Sequence, residues 1–409
     1  MLFVLLLLGM RPPTGPPPGP FGPATTYRVG RLPRALVLAD VNGDGQLDII
    51  TANEARSRVS QGGPDSFSMG IGALMPHIRR SARAEAKDLG SISVLLGQPG
   101  GRFQATKDFA IGPFPTALAV ADLNHDGRPD LVVACRNPNA GYSLLMLPGQ
   151  ATGAFGPPAY YPTSYQRSAE GLALADLNAD GWPAALAISD NPRGGGVVVR
   201  LNQHLPSGTL GPDTTYAIGP HYDVRSLVLT DVTGDGHPDA LVTNGEGYSP
   251  DSIVVVLPGR AGGRFGSPQE YPSPLGPTAV ADLNHDGRPD LVVARARTVA
   301  VRLGGPQGLG PVTRYPGPGY PLYTIQLRDV NGDGLPDLVA IHYPTKIDAP
   351  GALSVLPGRA AGGFGPPITY HLGKYSLEHF ALGDLNSDGR PDLVVLDRNL
   401  DTVFVLLGQ

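Results

Sequence analysis

The chain has 409 residues and a formal net charge of -5, long enough for two or three ordinary domains or one large all-β domain. Gly 56 and Pro 44 approach the level at which disorder is considered, but hydrophobic residues make up 41% and recur in regular short runs, which disorder would not produce. The one cysteine, Cys135, excludes an internal disulfide framework, and a chain of this size can bury enough apolar surface without one.

Leu2 to Leu8 is an unbroken apolar run, too short to cross a bilayer and matching the short end of a signal-peptide core, although the usual basic lead is missing. Residues 11 to 20, RPPTGPPPGP, read as an extended linker. Residues 1–20 are therefore expected to lie outside the folded unit, which spans 21–409. No other stretch is long and apolar enough to be transmembrane.

From Asp40 onward one nonapeptide recurs seven times: DVNGDGQLD at Asp40, DLNHDGRPD at Asp122, DLNADGWPA at Asp176, DVTGDGHPD at Asp231, DLNHDGRPD at Asp282, DVNGDGLPD at Asp329 and DLNSDGRPD at Asp384. Each copy lies between short apolar runs rich in Val, Leu and Ile. A third run, a Gly/Phe turn and a segment ending in an aromatic follow. Those aromatics are Tyr27, Phe109, Tyr161, Tyr216, Tyr271, Tyr315 and Tyr370. This predicts four strands per repeat and little helix, because no segment keeps a 3.6-residue apolar period.

Seven four-stranded units predict an all-β, seven-bladed propeller, an architecture that leaves only short, protected sheet edges. A linear solenoid would end in atypical polar caps, whereas here the ends are complementary. The chain stops after a third strand, TVFVLLGQ, and FGPATTYRVG near its start resembles the missing fourth. The N-terminal strand is expected to complete the last blade. One long insertion, about residues 54 to 90, interrupts the first blade; it carries Arg56, Arg58, Arg79, Arg80, Arg83 and Lys87, with a short helix expected over His77 to Lys87. It reads either as a partner-binding flap or as a surface excursion.

The nonapeptide supplies oxygen side chains at positions 1, 3, 5 and 9 and a glycine at position 6, where a sharp turn is needed. Calcium takes six to eight oxygens in forgiving geometry, while magnesium demands a tight octahedron. The expected ligands are Asp40, Asn42, Asp44 and Asp48; Asp122, Asn124, Asp126 and Asp130; Asp176, Asn178 and Asp180; Asp231, Thr233, Asp235 and Asp239; Asp282, Asn284, Asp286 and Asp290; Asp329, Asn331, Asp333 and Asp337; and Asp384, Asn386, Asp388 and Asp392. Six or seven calcium ions follow, because Ala184 removes the last ligand from the third loop; Thr233 shortens the reach in the fourth. These loops hold 20 of the 36 acidic residues, so six bound ions would move the formal charge from -5 to +7. The basic residues are scattered and do not single out an anionic partner; no nucleic acid is expected.

The Phe-Gly turns (Phe21-Gly22, Phe155-Gly156, Phe265-Gly266, Phe364-Gly365) together with the D-x-N-x-D-G-x-x-D loops resemble the FG-GAP/VCBS repeats of integrin α-subunit propellers and of bacterial secreted proteins. The resemblance covers about residues 21 to 409. It implies a calcium-binding propeller, secreted or on the cell surface, but does not choose among adhesion domains, sugar-binding propellers and parts of carbohydrate-active enzymes.

The connections opposite the Asp loops carry aromatic and polar groups suited to stacking on sugars or gripping a peptide: Arg34, Phe114, Tyr165, Arg167, His221, Tyr222, Arg225, Tyr320, Tyr323, Tyr375, Glu378 and His379. The same tyrosines could instead simply pack between blades. The expected partner is a carbohydrate or a protein. A calcium-stabilised scaffold without a small-molecule site, or a polysaccharide-active enzyme, remains the alternative. No G-x-S-x-G elbow, H-E-x-x-H pair or Cys–His motif appears, so the expectation is a binding module and not an enzyme.

Overall fold

A computed structural model describes residues 20–54, 90–104, 107–111, 114–137, 141–162, 171–189, 195–219, 224–244, 253–273, 276–295, 297–306, 308–320, 322–342, 351–371 and 377–409. The leader-like run and the greater part of the first-blade insertion, with its expected helix, lie outside the described residues.

Seven four-stranded antiparallel sheets account for nearly all the regular structure, and no helix occurs among the described residues. The first blade runs Pro33–Ala39, Asp48–Asn53, Ser91–Leu95 and Lys107–Ala110 from the axis outward. The next five begin at the inner strands Pro115–Ala121, Leu172–Ala175, Val224–Thr230, Thr278–Ala281 and Leu322–Arg328. The seventh is Leu377–Gly383, Asp392–Asp397 and Thr402–Leu406, completed by Thr25–Arg28 from the chain start. Thr25 lies opposite Val405 and Tyr27 opposite Val403, so the first strand closes the last blade as the complementary ends predict. Inner strands touch in sequence around the axis, and the first also packs against the seventh, which makes the array a ring.

Burial explains the strand composition. The second and third strands of a blade are covered on both faces by neighbouring blades, so they read as continuous apolar runs. Asp48–Asn53, Asp392–Asp397 and Ala352–Leu356 are buried at every residue. Outer strands meet solvent, and in Thr25–Arg28, Lys107–Ala110, Thr214–Ala217 and Gln269–Pro272 only the third residue, the aromatic, is half-buried.

That aromatic seals the joint to the next blade. Tyr27 meets Phe103 at 5.4 Å, Phe109 meets Phe155 at 6.2 Å, Tyr216 meets Phe265 at 5.3 Å and Tyr315 meets Phe364 at 6.3 Å, all edge-to-face. The ring quadrupoles favour this arrangement. Tyr370 packs into the same core as Phe21. In the third and fifth blades the turn residue is Leu210 or Leu309 in place of phenylalanine. There the guanidiniums of Arg200 and Arg302 lie over Tyr161 and Tyr271, 5.7 and 5.8 Å from the ring centres. A cation–π contact takes the place of a ring pair.

Candidate metal centres and the opposite mouth

The seven Asp loops connect inner to second strands and so share one face of the ring. Their shape is built by the loop's own oxygens. Position 6 is glycine in every loop, with φ between +80° and +86° at Gly45, Gly127, Gly181, Gly236, Gly287, Gly334 and Gly389, the left-handed conformation expected there. In each loop the first aspartate accepts the N–H of that glycine, as Asp40 Oδ2 does from Gly45 at 2.7 Å and Asp231 Oδ2 from Gly236 at 2.8 Å. The fifth-position aspartate accepts the N–H two residues on, as Asp44 does from Gln46 at 2.9 Å.

The ninth-position aspartate has a second task that its ligand spacing does not reveal. Asp48, Asp130, Asp239, Asp290, Asp337 and Asp392 are all 0% exposed. One oxygen of Asp48 accepts from Val41 N–H at 2.8 Å, and the other from Gly97 N–H at 2.7 Å, at the end of the third strand. The other five repeat the pattern with Gly149, Gly259, Gly304, Gly358 and Gly408. In Asp48 each oxygen keeps a second lone pair for a cation, whereas Asp239 Oδ2 also accepts from Thr233 N–H at 2.9 Å and leaves that role to Oδ1. Glycine is required at the third-strand end, since a Cβ at Gly97 would stand 2.5 Å from Leu47 O and one at Gly259 2.4 Å from Pro238 O. Burial pushes Asp48 up to about 6 against the pull of these backbone bonds, with Asp44 and Asp40 adding repulsion. It raises the other five in the same sense.

The fourth loop brings its carboxylates closest. Atoms of Asp231, Asp235 and Asp239 lie within 4.8 Å of one another, the one such trio among the described residues. Thr233 Oγ1 stands 3.4 Å from Asp231 and 3.5 Å from Asp239, so the shorter side chain still presents its oxygen to the cluster. In five of the other loops the third-position asparagine donates to the fifth-position aspartate, for example Asn42 to Asp44 at 2.9 Å. In the sixth, Asn331 donates to Asp337 at 3.2 Å.

The third loop is organised differently. Ala184 is buried where the others carry aspartate, and Asn202 replaces the third-strand glycine, reaching Leu123 O at 2.8 Å. His204 Nε2 lies 2.6 Å from Asp180 Oδ2. The Trp182 indole stacks on His125 at 3.9 Å and 2°, and on His204 at 5.4 Å. Burial works against ionised Asp180, but bonds from the Trp182 N–H, Asn178 and His204 outweigh it and hold its carboxyl below the usual range. His125 in turn contacts Gly181 O at 2.9 Å across the blade joint, and His285 repeats this with Gly334 O at 3.1 Å.

At the far end of the inner strands the structure describes four of the expected ligand-face side chains. Arg34 Nε bonds Glu54 Oε1 at 2.9 Å, and Arg398 Nη2 bonds Glu54 Oε2 at 2.8 Å. His379 is exposed to solvent, yet protein surrounds it closely enough that burial, and next the Arg34 charge, push its imidazole down to about 4. That combination suits a side chain lining a narrow passage. Tyr320 is exposed and stacks on buried His342 at 5.0 Å. Phe114 is half-buried with φ 49°. Arg225, Tyr323 and Glu378 are placed on inner strands by their backbones, while Tyr165, Arg167, His221, Tyr222 and Tyr375 lie outside the described residues. The sequence gives no sign that Glu54 is shared by Arg34 and Arg398. Glu54 and Arg398 are 344 residues apart, and only ring closure joins them.

A ring of seven four-stranded blades with an Asp loop at each inner turn defines the class as a repeat β-propeller. The chain belongs to the FG-GAP-like repeat family, whose model matches residues 83–133, 122–187, 176–242, 231–293, 282–340 and 329–395. No curated protein matches the chain. Among solved structures it is similar to the periplasmic gluconolactonase PpgL of Pseudomonas aeruginosa, at 17% identity and a TM-score of 0.56, over 84% of this chain and 86% of that one. A Tc holotoxin pore of Photorhabdus luminescens aligns at 16% identity and a TM-score of 0.37, over 78% of this chain and 14% of that one. The first likeness corrects the expectation that the chain is not an enzyme. A propeller of closely similar extent is a gluconolactonase, so this architecture houses catalysis, and missing nucleophile motifs are no argument against it. No helix among the described residues is long and apolar enough to cross a membrane.

Proposed function

We propose that this chain is an exported, calcium-dependent propeller that presents a binding face to a carbohydrate or protein. The observation that carries the reading is the fourth loop, where three carboxylates and a hydroxyl converge on a space within 4.8 Å. Hard oxygen donors in flexible loops suit calcium. The loops with Asp at positions 1, 5 and 9 would each hold one ion, and the third, lacking the ninth ligand, would hold none. Bound calcium would neutralise carboxylates that burial leaves as reluctant anions, and so couple metal to folding. The apolar leader-like run and the periplasmic origin of the gluconolactonase neighbour support export.

Native mass spectrometry of the folded chain tests the metal: six calcium ions are expected, and a folded chain retaining none would sink the reading. A glycan array with and without calcium tests the binding face. A second reading, hydrolysis of a sugar lactone, comes from the neighbour's activity and from His379 in the channel. Turnover of gluconolactone by the same preparation, abolished in His379→Gln, would favour it.

A further inference from the structure

The turn between the third and fourth strands of a blade lies on the same face as the Asp loops and reaches the loop of the preceding blade. A left-handed glycine makes the contact. A Cβ at Gly101 would stand 3.5 Å from the Asn386 Cβ, and one at Gly153 3.5 Å from that of Asn42. Gly208 repeats the approach to Asn124 at 3.4 Å, Gly263 to Asn178 at 3.5 Å and Gly362 to Asn284 at 3.4 Å. Each glycine is also wedged against a side chain near the end of that blade's third strand. Added Cβ atoms would meet Leu407, Leu96, Met146, Leu201 and Leu303 at 2.5, 2.6, 2.9, 2.8 and 2.7 Å. Five third-position asparagines are thus flanked by the next blade. No described glycine takes this place at the other two loops. The turn glycine of the fifth blade, Gly308, faces the Tyr271 hydroxyl instead. The seventh blade takes its fourth strand from Thr25–Arg28, so no hairpin joins it to the third.

Hydrogen bonds divide the loops along the same line. The five flanked asparagines all turn their amides onto the fifth-position aspartate. Thr233 and Asn331, which lack the glycine, reach the ninth. The difference decides what the ninth carboxylate can offer a cation. Asp337 Oδ1 accepts from Gly358 N–H at 2.7 Å, and Asn331 Nδ2 takes its other lone pair at 3.2 Å. Asp392 Oδ1, in a flanked loop, accepts from Gly408 N–H at 2.7 Å and keeps its other lone pair among the described residues. Thr233 is a milder case than Asn331. Its hydroxyl swings the proton away by rotation, whereas the Asn331 amide must turn as a whole.

We propose that the glycine turn of one blade positions a calcium ligand of the blade before it, by holding the asparagine off the ninth carboxylate. Gly153, Gly208, Gly362 and Gly101 are then positioning residues for the first, second, fifth and seventh sites, and the sixth site is the weakest. This rests on the calcium reading above and adds that each blade preorganises its neighbour's loop. The test is equilibrium dialysis of the full chain against stepped free calcium, with bound ions counted. One ion is expected to leave at a free calcium about tenfold above the others, and Asp329→Ala should abolish that step. Gly100 and Gly101 form a matched pair, left-handed at φ 80° and 70°, a conformation that asparagine also adopts. A side chain at Gly100 enters open space, whereas one at Gly101 runs into Leu407 and lifts the turn. Gly101→Asn should weaken one further site by about tenfold, and Asp384→Ala should take no additional ion at the level where that one is lost. Gly100→Asn should weaken none. Leu407→Ala makes room, so it should restore the site in Gly101→Asn while the melting temperature stays low.

Release of all the ions together, equal counts in Gly101→Asn and Gly100→Asn, or loss of an ion other than that of the seventh loop would overturn the assignment. If Gly101→Asn does not fold, the release order of the unsubstituted chain carries the test. The calcium count separates this inference from the wider reading. A folded chain that holds six equivalent ions refutes the positioning role alone, and one that holds none refutes both.

Discussion

The third and fourth Asp loops stand side by side in the ring and solve the same problem in different ways. In the fourth, Asp231, Asp235 and Asp239 crowd together, and Asp239 ties the loop to Gly259 in the third strand. In the third, Ala184 and Asn202 have replaced the equivalent aspartate and glycine together, and the Asn202 amide spans to Leu123 O. His204 and the Trp182 stack then brace Asp180 from outside. The pairing of the two replacements teaches that the ninth aspartate and the third-strand glycine are one device. The glycine lets the end of the third strand come close to the carbonyl before the ninth residue, where a Cβ at Gly259 would stand 2.4 Å from Pro238 O, and that approach brings its N–H onto the carboxylate.

Calcium removal should separate the two loops most widely. Chelation is expected to lower the unfolding free energy, and the melting temperature with it, by about 2.7 kcal/mol of stability for each site held at a hundred times its Kd. Trp182, the one tryptophan, sits on the third loop. Because its indole stacks on His125 of the second loop, the clean test is in His125→Ala, where its fluorescence should stay flat on calcium titration of the folded chain and change only at global unfolding. A calcium-dependent signal without unfolding would break the contrast.

Next in size is Asp239→Ala, which strands two N–H groups in the core, those of Val232 and Gly259. A loss of roughly 2–6 kcal/mol is expected in urea unfolding, since each unmet buried donor costs about 1–3 kcal/mol. The mirror experiment places an aspartate in the third loop. Ala184→Asp alone should cost about 2–3 kcal/mol, as a buried carboxylate facing Asn202. Adding Asn202→Gly should recover most of that and raise the calcium count by one. No recovery would refute the one-device reading.

Acid should also discriminate. In chelated protein the ninth aspartates carry raised values, Asp48 to about 6. The folded chain then binds protons more tightly than the unfolded one between about 4 and 6. Stability of the metal-free form should fall as pH rises through that window and stay low above it. His379, depressed to about 4, works in the opposite sense, losing stability as pH falls below about 6.5. The scan is therefore cleanest in His379→Gln, where a chelated melt higher at pH 5 than at 7.5 is expected. The smallest effect belongs to Trp182→Ala, about 1 kcal/mol for a lost ring stack.

Much of the ring was legible beforehand. Seven nonapeptides, their flanking apolar runs and the complementary ends named the blades, the outer aromatics and the closing strand. The joints were less legible, because Arg200 over Tyr161 and Arg302 over Tyr271 pair residues from different repeats whose contact no motif announces. The register slip between Pro33 and Ala35 was likewise silent, since such a slip depends on the partner strand and not on the bulged residue.

The sequence by itself determined everything governed by neighbours within a repeat: strand periodicity, the left-handed glycine at position 6, and which loops carry a full set of oxygens. Tertiary structure alone decided what lies between repeats and across the closing seam. There Glu54 of the first blade meets Arg398 of the last, and Trp182 stacks on His125 of the preceding blade. The physical reason is range. Backbone turns answer to dihedral preferences a few residues long, whereas buried charges and ring contacts depend on which distant strands the closed circle brings together.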